Sequence, residues 1–205
     1  AWIQKQTRKN KTKVSNYCYT FAFEQCTREY TEWKAKLIGL PYSITERDRF
    51  DKRTLKTYHS VHCHVTLSKN YKEFYYNLFY NPKKEISIKI LNSLSDLSIA
   101  VWYCDDGNMY YNGNNCHISL AVNGFSLESK NLVIQWFKDK YDINFKHSNK
   151  SIRLTSKKEC LKFMNIVQTY IPSCMEYKRL DKAIEKHNNN LTDDRKKFRN
   201  NRYKT

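Results

Sequence analysis

The stretch from Ser93 to Gly107 constrains the fold more than any other part of the chain. Its sequence, SLSDLSIAVWYCDDG, predicts a short helix that is apolar on nearly every side and ends in two carboxylates and a glycine. Ser93 or Ser95 can cap its start, because a serine oxygen accepts an unpaired backbone N–H there. Gly107 can end it in a left-handed turn. We expect such a helix to be buried against a partner.

Two carboxylates close this predicted helix, Asp105 and Asp106. Negative charge at a helix C-terminus is disfavoured by roughly 0.3–1 kcal/mol for each group. One interpretation is that a cation binds there. The alternative is an ordinary Asp-Gly turn that ends the helix, and this stretch taken alone leaves both interpretations open.

The charge of the chain indicates a polyanionic partner. The 205 residues include 37 Lys and Arg against 20 Asp and Glu, which gives a formal net charge of +17 and is typical of nucleic-acid-binding proteins. The apolar runs are far shorter than the ~20 residues of a membrane span, so we expect no membrane partner. The 7 cysteines form no C-x-x-C pair, which favours reduced thiols over a disulfide scaffold or a zinc ribbon.

The abundance of Lys, Asn, Ile, Tyr and Phe resembles the output of an AT-rich genome. This bias favours an organellar location, and the mitochondrial matrix is the favoured compartment. The alternative is an intracellular phage or bacterial protein.

Strands and helices follow one another in an order that occurs twice, which indicates an α+β chain. Thr27 can cap the first predicted helix and Gly39 can end it, and Leu161 is expected to face inward from the last. The predicted strands are 14–23, an irregular strand over 43–58, 61–67, 108–111, 117–122, 143–147 and 151–154, and the predicted helices are 27–40, 71–80, 93–107, 126–141 and 156–170.

Cationic side chains collect on the predicted strands and turns, where they are candidates for contacts with nucleic-acid phosphates. For the basic segment before residue 14, the alternative interpretation is a solvated charged turn. The candidates are Lys5, Arg8, Lys9, Lys11, Lys13, Arg47, Arg49, Lys52, Arg53, Lys56, Lys146, Lys150 and Arg153.

The segment that contains His59, His62, Cys63 and His64 carries residue types that ligate metals. Successive side chains of a strand point to opposite faces. His62 and His64 therefore share one face while Cys63 lies on the other, and the group does not converge on a metal. Polar strand contacts to nucleic acid are the favoured interpretation.

Three segments together resemble the LAGLIDADG homing endonucleases, in the branch with two repeats in one chain. Residues 97–107 (LSIAVWYCDDG) are similar to the second signature helix, 82–86 (PKKEI) to the basic turn before it, and 171–178 (IPSCMEYK) to the closing segment. The resemblance spans about residues 1–180. It implies two pseudo-symmetric αββαββα repeats, whose strands form a saddle along the DNA major groove. The repeats would occupy residues 1–92 and 93–180, followed by a basic C-terminal extension over 181–205.

The resemblance also implies the site residues. In that family each signature helix delivers an acidic residue to divalent metal ions beneath the scissile phosphates, and Asp106 matches this position, with Asp105 as its secondary neighbour. Lys84, with Lys83 as a fallback, and Lys178 match the basic positions that polarise water or steady phosphate. Two Mg²⁺ ions about 3.5–4 Å apart would stabilise the attacking and leaving oxygens together. Mg²⁺ is therefore the expected cofactor if the protein is catalytic.

The sequence departs from the family pattern at its start. Ala1-Trp-Ile-Gln resembles the residues directly after the first acidic position, so we expect the first repeat to lack its N-terminal helix here. An upstream segment or a separate chain would then supply that helix, and the expected function is site-specific cleavage of double-stranded DNA. Without it, the alternative is a catalytically inactive descendant that binds structured RNA, as an intron maturase or a component of a ribonucleoprotein such as an organellar ribosome. Whether the chain is an enzyme stays open at this point.

Overall fold

The structure is a computed structural model in which the chain forms two compact units, residues 1–84 and 85–205. It describes residues 2–9, 15–25, 27–68, 70, 71, 74, 85–113 and 115–190, with side chains from Phe21 onward. Most of the helix predicted over 71–80 lies outside the described residues, as do Lys11, Lys13, Lys83 and Lys84.

The described part of the first unit contains a four-stranded antiparallel sheet and helix α1. The sheet has the strand order β1-β2-β4-β3, and residues 2–9 of the N-terminal basic segment form its edge strand. The elements are β1 (Trp2–Lys9), β2 (Ser15–Gln25), α1 (Arg28–Ile38), β3 (Tyr42–Asp51) and β4 (Lys56–Val65).

The single irregular strand predicted over 43–58 is wrong, because β3 and β4 form a hairpin joined by a turn at residues 52–55. The Asp51 carboxylate accepts a 2.8 Å hydrogen bond from the backbone N–H of Arg53. Leu55 completes the turn in the left-handed region, with φ at 53°. A local side-chain hydrogen bond of this kind gives the backbone an alternative to a continuous strand.

Helix α1 confirms one predicted boundary and corrects the other. Gly39 follows it with φ at 68°, and its N–H donates to the carbonyl of Lys36, as predicted. The Thr27 side chain makes no capping hydrogen bond. Instead the Thr31 hydroxyl donates to the Thr27 carbonyl at 2.8 Å, so the predicted cap is wrong. The helix packs on the sheet through a small core of Phe23, Ala35, Cys63 and Val65.

The second unit repeats the strand order of the first, β5-β6-β8-β7. From α3 to α5 its elements follow the predicted order αββαββα. The elements are α2 (Ile88–Asn92), α3 (Asp96–Asp106), β5 (Gly107–Tyr111), β6 (Cys116–Ala121), α4 (Leu127–Tyr141), β7 (Lys146–His147), β8 (Ser151–Leu154), α5 (Lys157–Val167), the 3-10 turns Gln168–Tyr170 and Ser173–Lys178, and α6 (180–190).

Helix α2 and the residues just before it are attached to α4 by two hydrogen bonds. The indole N–H of Trp136 donates to the Asn92 side chain at 2.9 Å, and the N–H of Ile86 donates to the Ser129 hydroxyl. Residues 85–92, which the resemblance assigns to the end of the first repeat, therefore pack with the elements of the second.

The segment expected to be a basic C-terminal extension begins within helix α6. Leu180 at its start is buried, with 3% of its surface exposed. Burial of this apolar side chain gives the segment a reason to fold against the unit. The remaining basic residues, 191–205, lie outside the described part of the chain.

Helices α4 and α5 are capped by serines, because Ser126 and Ser156 accept hydrogen bonds from Ser129 N–H and Glu159 N–H. The prediction that Leu161 faces inward is wrong, since 44% of it is exposed. The buried stripe of α5 follows positions 160, 163, 164 and 167, which places Leu161 on the flank of the helix. Of the described helices, none has both the length and the apolar character needed to cross a membrane.

Candidate metal site and nucleic-acid interface

Helix α3 is the element that positions the two candidate metal ligands. Ser95 caps its start by accepting the N–H of Ser98 at 3.2 Å, which confirms one of the two predicted caps. Asp96 in the first turn accepts a 2.8 Å hydrogen bond from the Tyr141 hydroxyl. The helix buries Ile99, Ala100, Tyr103 and Cys104, while its other positions are half-buried or exposed.

Gly107 ends α3 in a way that differs from the prediction. Its backbone is extended, with φ at −89° and ψ at 154°, and it forms the first residue of β5. The predicted left-handed turn is therefore wrong, and glycine is required there for a different reason. A Cβ at this position would overlap the ring and the carbonyl oxygen of Tyr103, so only glycine allows the chain to pass directly from helix to strand.

Asp105 and Asp106 are the last two residues of α3. Asp105 is half-buried and Asp106 is exposed. Because β5 starts at the next residue, both carboxylates lie at the junction between the helix and the edge strand of the sheet.

Lys178 lies against this junction and donates three hydrogen bonds to it. Its ammonium bonds the carbonyl oxygens of Cys104 at 2.5 Å, Gly107 at 2.8 Å and Tyr103 at 3.3 Å. Burial lowers the pKa of Lys178, while the neighbouring acidic groups of Cys104, Asp105 and Asp106 oppose that change.

Tyr103 is a buried residue of α3 that also bonds the backbone of Lys178. Its hydroxyl donates to the carbonyl oxygen of Lys178 at 2.8 Å, and its ring packs edge-on against Phe163 with the ring centres 5.4 Å apart. Burial raises the pKa of Tyr103 far above its ordinary value, so the phenol stays neutral and keeps the proton that it donates.

The donors at the end of α3 fit a hard divalent cation. Carboxylate oxygens are the ligands that Mg²⁺ prefers, and the ion usually keeps several waters while binding one or two protein carboxylates. Asp106 and Asp105 supply such a pair. Among the described residues, no group of three or more His, Cys, Asp and Glu side chains converges, so further ligands would be water, backbone, phosphate or a second acidic residue.

The second sheet has one face packed on the core and one open face. Cross-strand pairing places Asn108 opposite Ser119, Ser119 opposite Arg153, and Arg153 opposite Lys146. Directly opposed residues share a face, so these four form one polar row across all four strands. Arg153 and Lys146, both predicted as phosphate contacts, are exposed in this row.

A second row on the same face pairs Tyr110 with His117. Their rings stack with centres 6.0 Å apart, and 52% of Tyr110 is exposed. The His117 Nδ1 atom is buried without a hydrogen-bond partner among the described residues. Sequence reasoning did not select Asn108, Tyr110, His117 or Ser119 as functional, although the strict alternation of β5 and β6 was a signal that could have found them.

The first sheet also has an open face, and it is rich in cations. Register places Arg47 opposite Ser60, Arg49 opposite Tyr58 and Lys56 opposite Asp51. The face also includes His62 and His64, whose rings lie 5.1 Å apart, while Cys63 is buried in the core on the other side. This arrangement confirms that the histidines and the cysteine do not converge.

The remaining predicted cations lie in turns or on the edge strand. Lys52 and Arg53 occupy the β3–β4 turn, where Arg53 pairs with Asp51 at 3.2 Å, and Lys150 lies in the turn before β8. Lys5, Arg8 and Lys9 belong to β1, described by its backbone.

A family model for the LAGLIDADG DNA endonuclease family matches residues 1–163. The chain belongs to the LAGLIDADG DNA endonuclease family. The fold agrees with this assignment, since the solved structure of the homing endonuclease I-WcaI bound to its DNA recognition sequence superimposes with a TM-score of 0.68. That match has 22% identity over 87% of this chain and 81% of the other.

Two curated relatives each match about half of this chain. The probable intron-encoded endonuclease 1 of Wickerhamomyces canadensis is 32% identical over 112 residues, which cover 51% of this chain and 48% of that protein. The protein RecA of Mycolicibacterium chitae is 28% identical over 112 residues, which cover 48% of this chain and 26% of that protein. The matches therefore span between a quarter and a half of these relatives.

Proposed function

We propose that this LAGLIDADG chain takes part in site-specific cleavage of double-stranded DNA. The observation that carries the proposal is the α3–β5 junction, where Asp105 and Asp106 meet the edge of a sheet with an open polar face. Family membership over residues 1–163 supports the same function. The net charge of +17 suits a polyanionic partner.

Asp106 would be the carboxylate that binds Mg²⁺, with Asp105 as its secondary ligand. When bound, the ion would stabilise the charge that develops on the phosphate oxygens during hydrolysis. Lys84, which lies outside the described residues, would supply positive charge near the phosphate, as the resemblance implies. The contribution of this chain is to hold the carboxylates at a fixed helix end, next to the strands that bind DNA.

DNA binding would use the open faces of both sheets. A two-stranded β-ribbon fits the major groove, where each base pair shows a distinct pattern of donors and acceptors. Arg47, Arg49, Arg153 and Lys146 would contact phosphates, because long cationic side chains reach the backbone. Asn108, Ser119 and His117 carry donors and acceptors on the same face as Arg153 and are candidates for contacts with base edges.

We also propose a partner for α3 and a cellular location for the protein. A first signature helix, supplied by an upstream segment or a separate chain, would pack beside α3 and add the second acidic residue. Two relatives are described as intron-encoded endonucleases, and we propose an organellar setting, the mitochondrial matrix, for this chain. The RNA-binding alternative is favoured by no separate observation, since the same cations suit the phosphates of RNA and DNA equally.

The test is selection of duplexes from a randomised DNA library, followed by incubation of the selected duplex with Mg²⁺. The chain should be assayed alone and together with a segment that supplies a first acidic signature helix. We expect sequence-selective binding in both cases and cleavage of both strands in the completed protein. Cleavage that survives Asp106→Asn would contradict the assigned metal ligand, and binding to structured RNA but not to any duplex would favour the maturase-type alternative.

A further inference from the structure

We propose that Lys178 is a positioning residue, whose ammonium closes the C-terminal end of α3 and fixes the backbone on either side of Asp105 and Asp106. The inference rests on the proposed function, because it assumes that this helix end binds the metal. It differs from the role implied by the resemblance, in which Lys178 polarises water or steadies phosphate. The family model ends at residue 163 and does not cover this position.

The hydrogen bonds of Lys178 account for all of its donors. An ammonium group has three N–H donors and no acceptor, and three carbonyl oxygens lie within 3.3 Å of the Lys178 nitrogen. A phosphate oxygen or a water molecule would have to displace one of these carbonyls before it could bond the ammonium.

The positions of the three carbonyls explain what the contact does. Tyr103 and Cys104 belong to the last turn of α3, and the Tyr103 carbonyl also accepts the N–H of Gly107. Gly107 belongs to β5. A single nitrogen therefore bridges carbonyls on either side of Asp105 and Asp106, the last two residues of α3.

Electrostatic interactions support the same role for Lys178. Two carboxylates at a helix C-terminus are repelled by the negative end of the helix dipole, and a cation at the same end offsets that repulsion. Lys178 supplies the cation at the backbone carbonyls, and its own backbone is held by the Tyr103 hydroxyl. The closing segment thus fixes the helix end from two directions.

The chain provides a matched control on another helix. Lys162 closes the C-terminal end of α4, where its ammonium donates to the carbonyl oxygen and the carboxylate of Asp142 at 2.6 and 2.5 Å. Replacing either lysine by methionine keeps most of the apolar stem and removes a cationic helix cap. Of these two lysines, Lys178 caps the helix that ends in Asp105 and Asp106.

The first measurement is amide hydrogen exchange by NMR in Lys178→Met and Lys162→Met. The N–H of Gly107 bonds to the Tyr103 carbonyl, and the N–H of Asp142 bonds to the Lys138 carbonyl, so each amide reports on one helix end. Lys178→Met should speed exchange of Gly107 by about tenfold, the worth of a charge-assisted hydrogen bond. Lys162→Met should leave Gly107 unchanged and affect Asp142. Unchanged Gly107 exchange in Lys178→Met would overturn the proposal.

The second measurement is a Mn²⁺ titration that follows paramagnetic broadening of the amide signals next to Asp106. Loss of a positioning residue should raise the Mn²⁺ concentration needed by about tenfold, as for other groups that orient metal ligands, and Lys162→Met should match the parent. If Lys178→Met abolishes cleavage but leaves the Mn²⁺ response unchanged, Lys178 acts on water or phosphate and the proposal is wrong.

Failure of the proposed function gives a different result. The parent would then show no Mn²⁺ broadening near Asp106, while Gly107 exchange would still decide whether Lys178 closes the helix. Lys178→Gln retains two N–H donors and allows the same exchange comparison if the methionine variant does not fold.

Discussion

Tyr103 and Lys178 hold each other by two hydrogen bonds that run in opposite directions. The Tyr103 hydroxyl donates to the Lys178 carbonyl at 2.8 Å, and the Lys178 ammonium donates to the Tyr103 carbonyl at 3.3 Å. The ammonium also lies over the Tyr103 ring, 5.7 Å from its centre. Two residues 75 positions apart in the sequence therefore build the end of the helix that carries the candidate metal ligands.

Gly107→Ala should destabilise the second unit. The added Cβ would overlap the Tyr103 ring and carbonyl oxygen, and relief of that overlap must shift either the helix end or the buried ring. We expect a loss of about 1–3 kcal/mol in the free energy of unfolding, the usual cost of overpacking. Urea denaturation monitored by tryptophan fluorescence measures it.

Gly39→Ala is the matched control in the first unit. Gly39 has φ at 68°, and no atom of the described residues lies within 4 Å of the place that a Cβ would take. Alanine at position 39 would therefore strain the backbone but would overlap no atom of the described residues. The expected loss is about 1 kcal/mol. A Gly107→Ala variant no less stable than the parent would contradict the packing argument.

Asp106→Asn should separate stability from function. The substitution removes a negative charge from a helix C-terminus, where Lys178 offsets the repulsion, so the free energy of unfolding should change by less than about 1 kcal/mol. The same change removes the proposed metal-binding carboxylate and should abolish Mg²⁺-dependent cleavage by the completed protein. Asp105→Asn is the comparison and should reduce cleavage less. Equal loss of stability and cleavage in Asp106→Asn would indicate a structural role instead.

The sequence predicted the order of elements because each element carries a local signal. Serines 95, 126 and 156 mark helix starts, and alternating side chains mark β5 and β6. The predictions that failed depended on contacts distant in sequence or on backbone detail. Gly107 is predicted to be left-handed, but its backbone is extended. Glycine is required there because the Tyr103 side chain and carbonyl oxygen occupy the place that a Cβ would take.

The sequence likewise predicts one part of the candidate site and not the rest. The Asp105–Asp106 pair stands out because it opposes the helix dipole. The ammonium of Lys178 could be placed near this pair by the resemblance, but its three carbonyl partners depend on how the closing segment folds back on α3. Alternation assigns Asn108 and Ser119 to the open face of their strands, but their alignment with Arg153 depends on which strands are neighbours in the sheet.

The open face of the second sheet makes a prediction about salt dependence. Arg153→Ala and Lys146→Ala each remove one exposed cation from the cross-strand row. If each side chain contacts a phosphate, each variant should weaken DNA binding and lower the slope of log K against log salt by about 1. Fluorescence anisotropy with a selected duplex at several salt concentrations measures the slope.

Lys158→Ala is the control for charge alone. Lys158 is an exposed lysine of α5, which packs on the opposite, buried face of the sheet through the Cys160 contact with Cys116. It has the same formal charge as the row residues and should leave the salt slope near that of the parent. Equal effects in all three variants would show that net charge, not the open face, governs binding.

Glu159 should make the stability of the second unit depend on pH. Burial alone would raise its pKa, but the hydrogen bond from the Asn144 N–H at 2.6 Å and the ion pair with Lys162 outweigh burial and lower the pKa. A carboxyl whose folded pKa lies below its unfolded value stabilises the protein above the unfolded pKa, near 4.5. That stabilisation is lost as the pH falls through the folded pKa. Glu159→Gln should cost about 1 kcal/mol at pH 7 and flatten the stability curve below the unfolded pKa of 4.5. Glu128→Gln removes an exposed carboxylate from the first turn of α4, and an equal change there in urea titrations would assign the effect to the helix dipole.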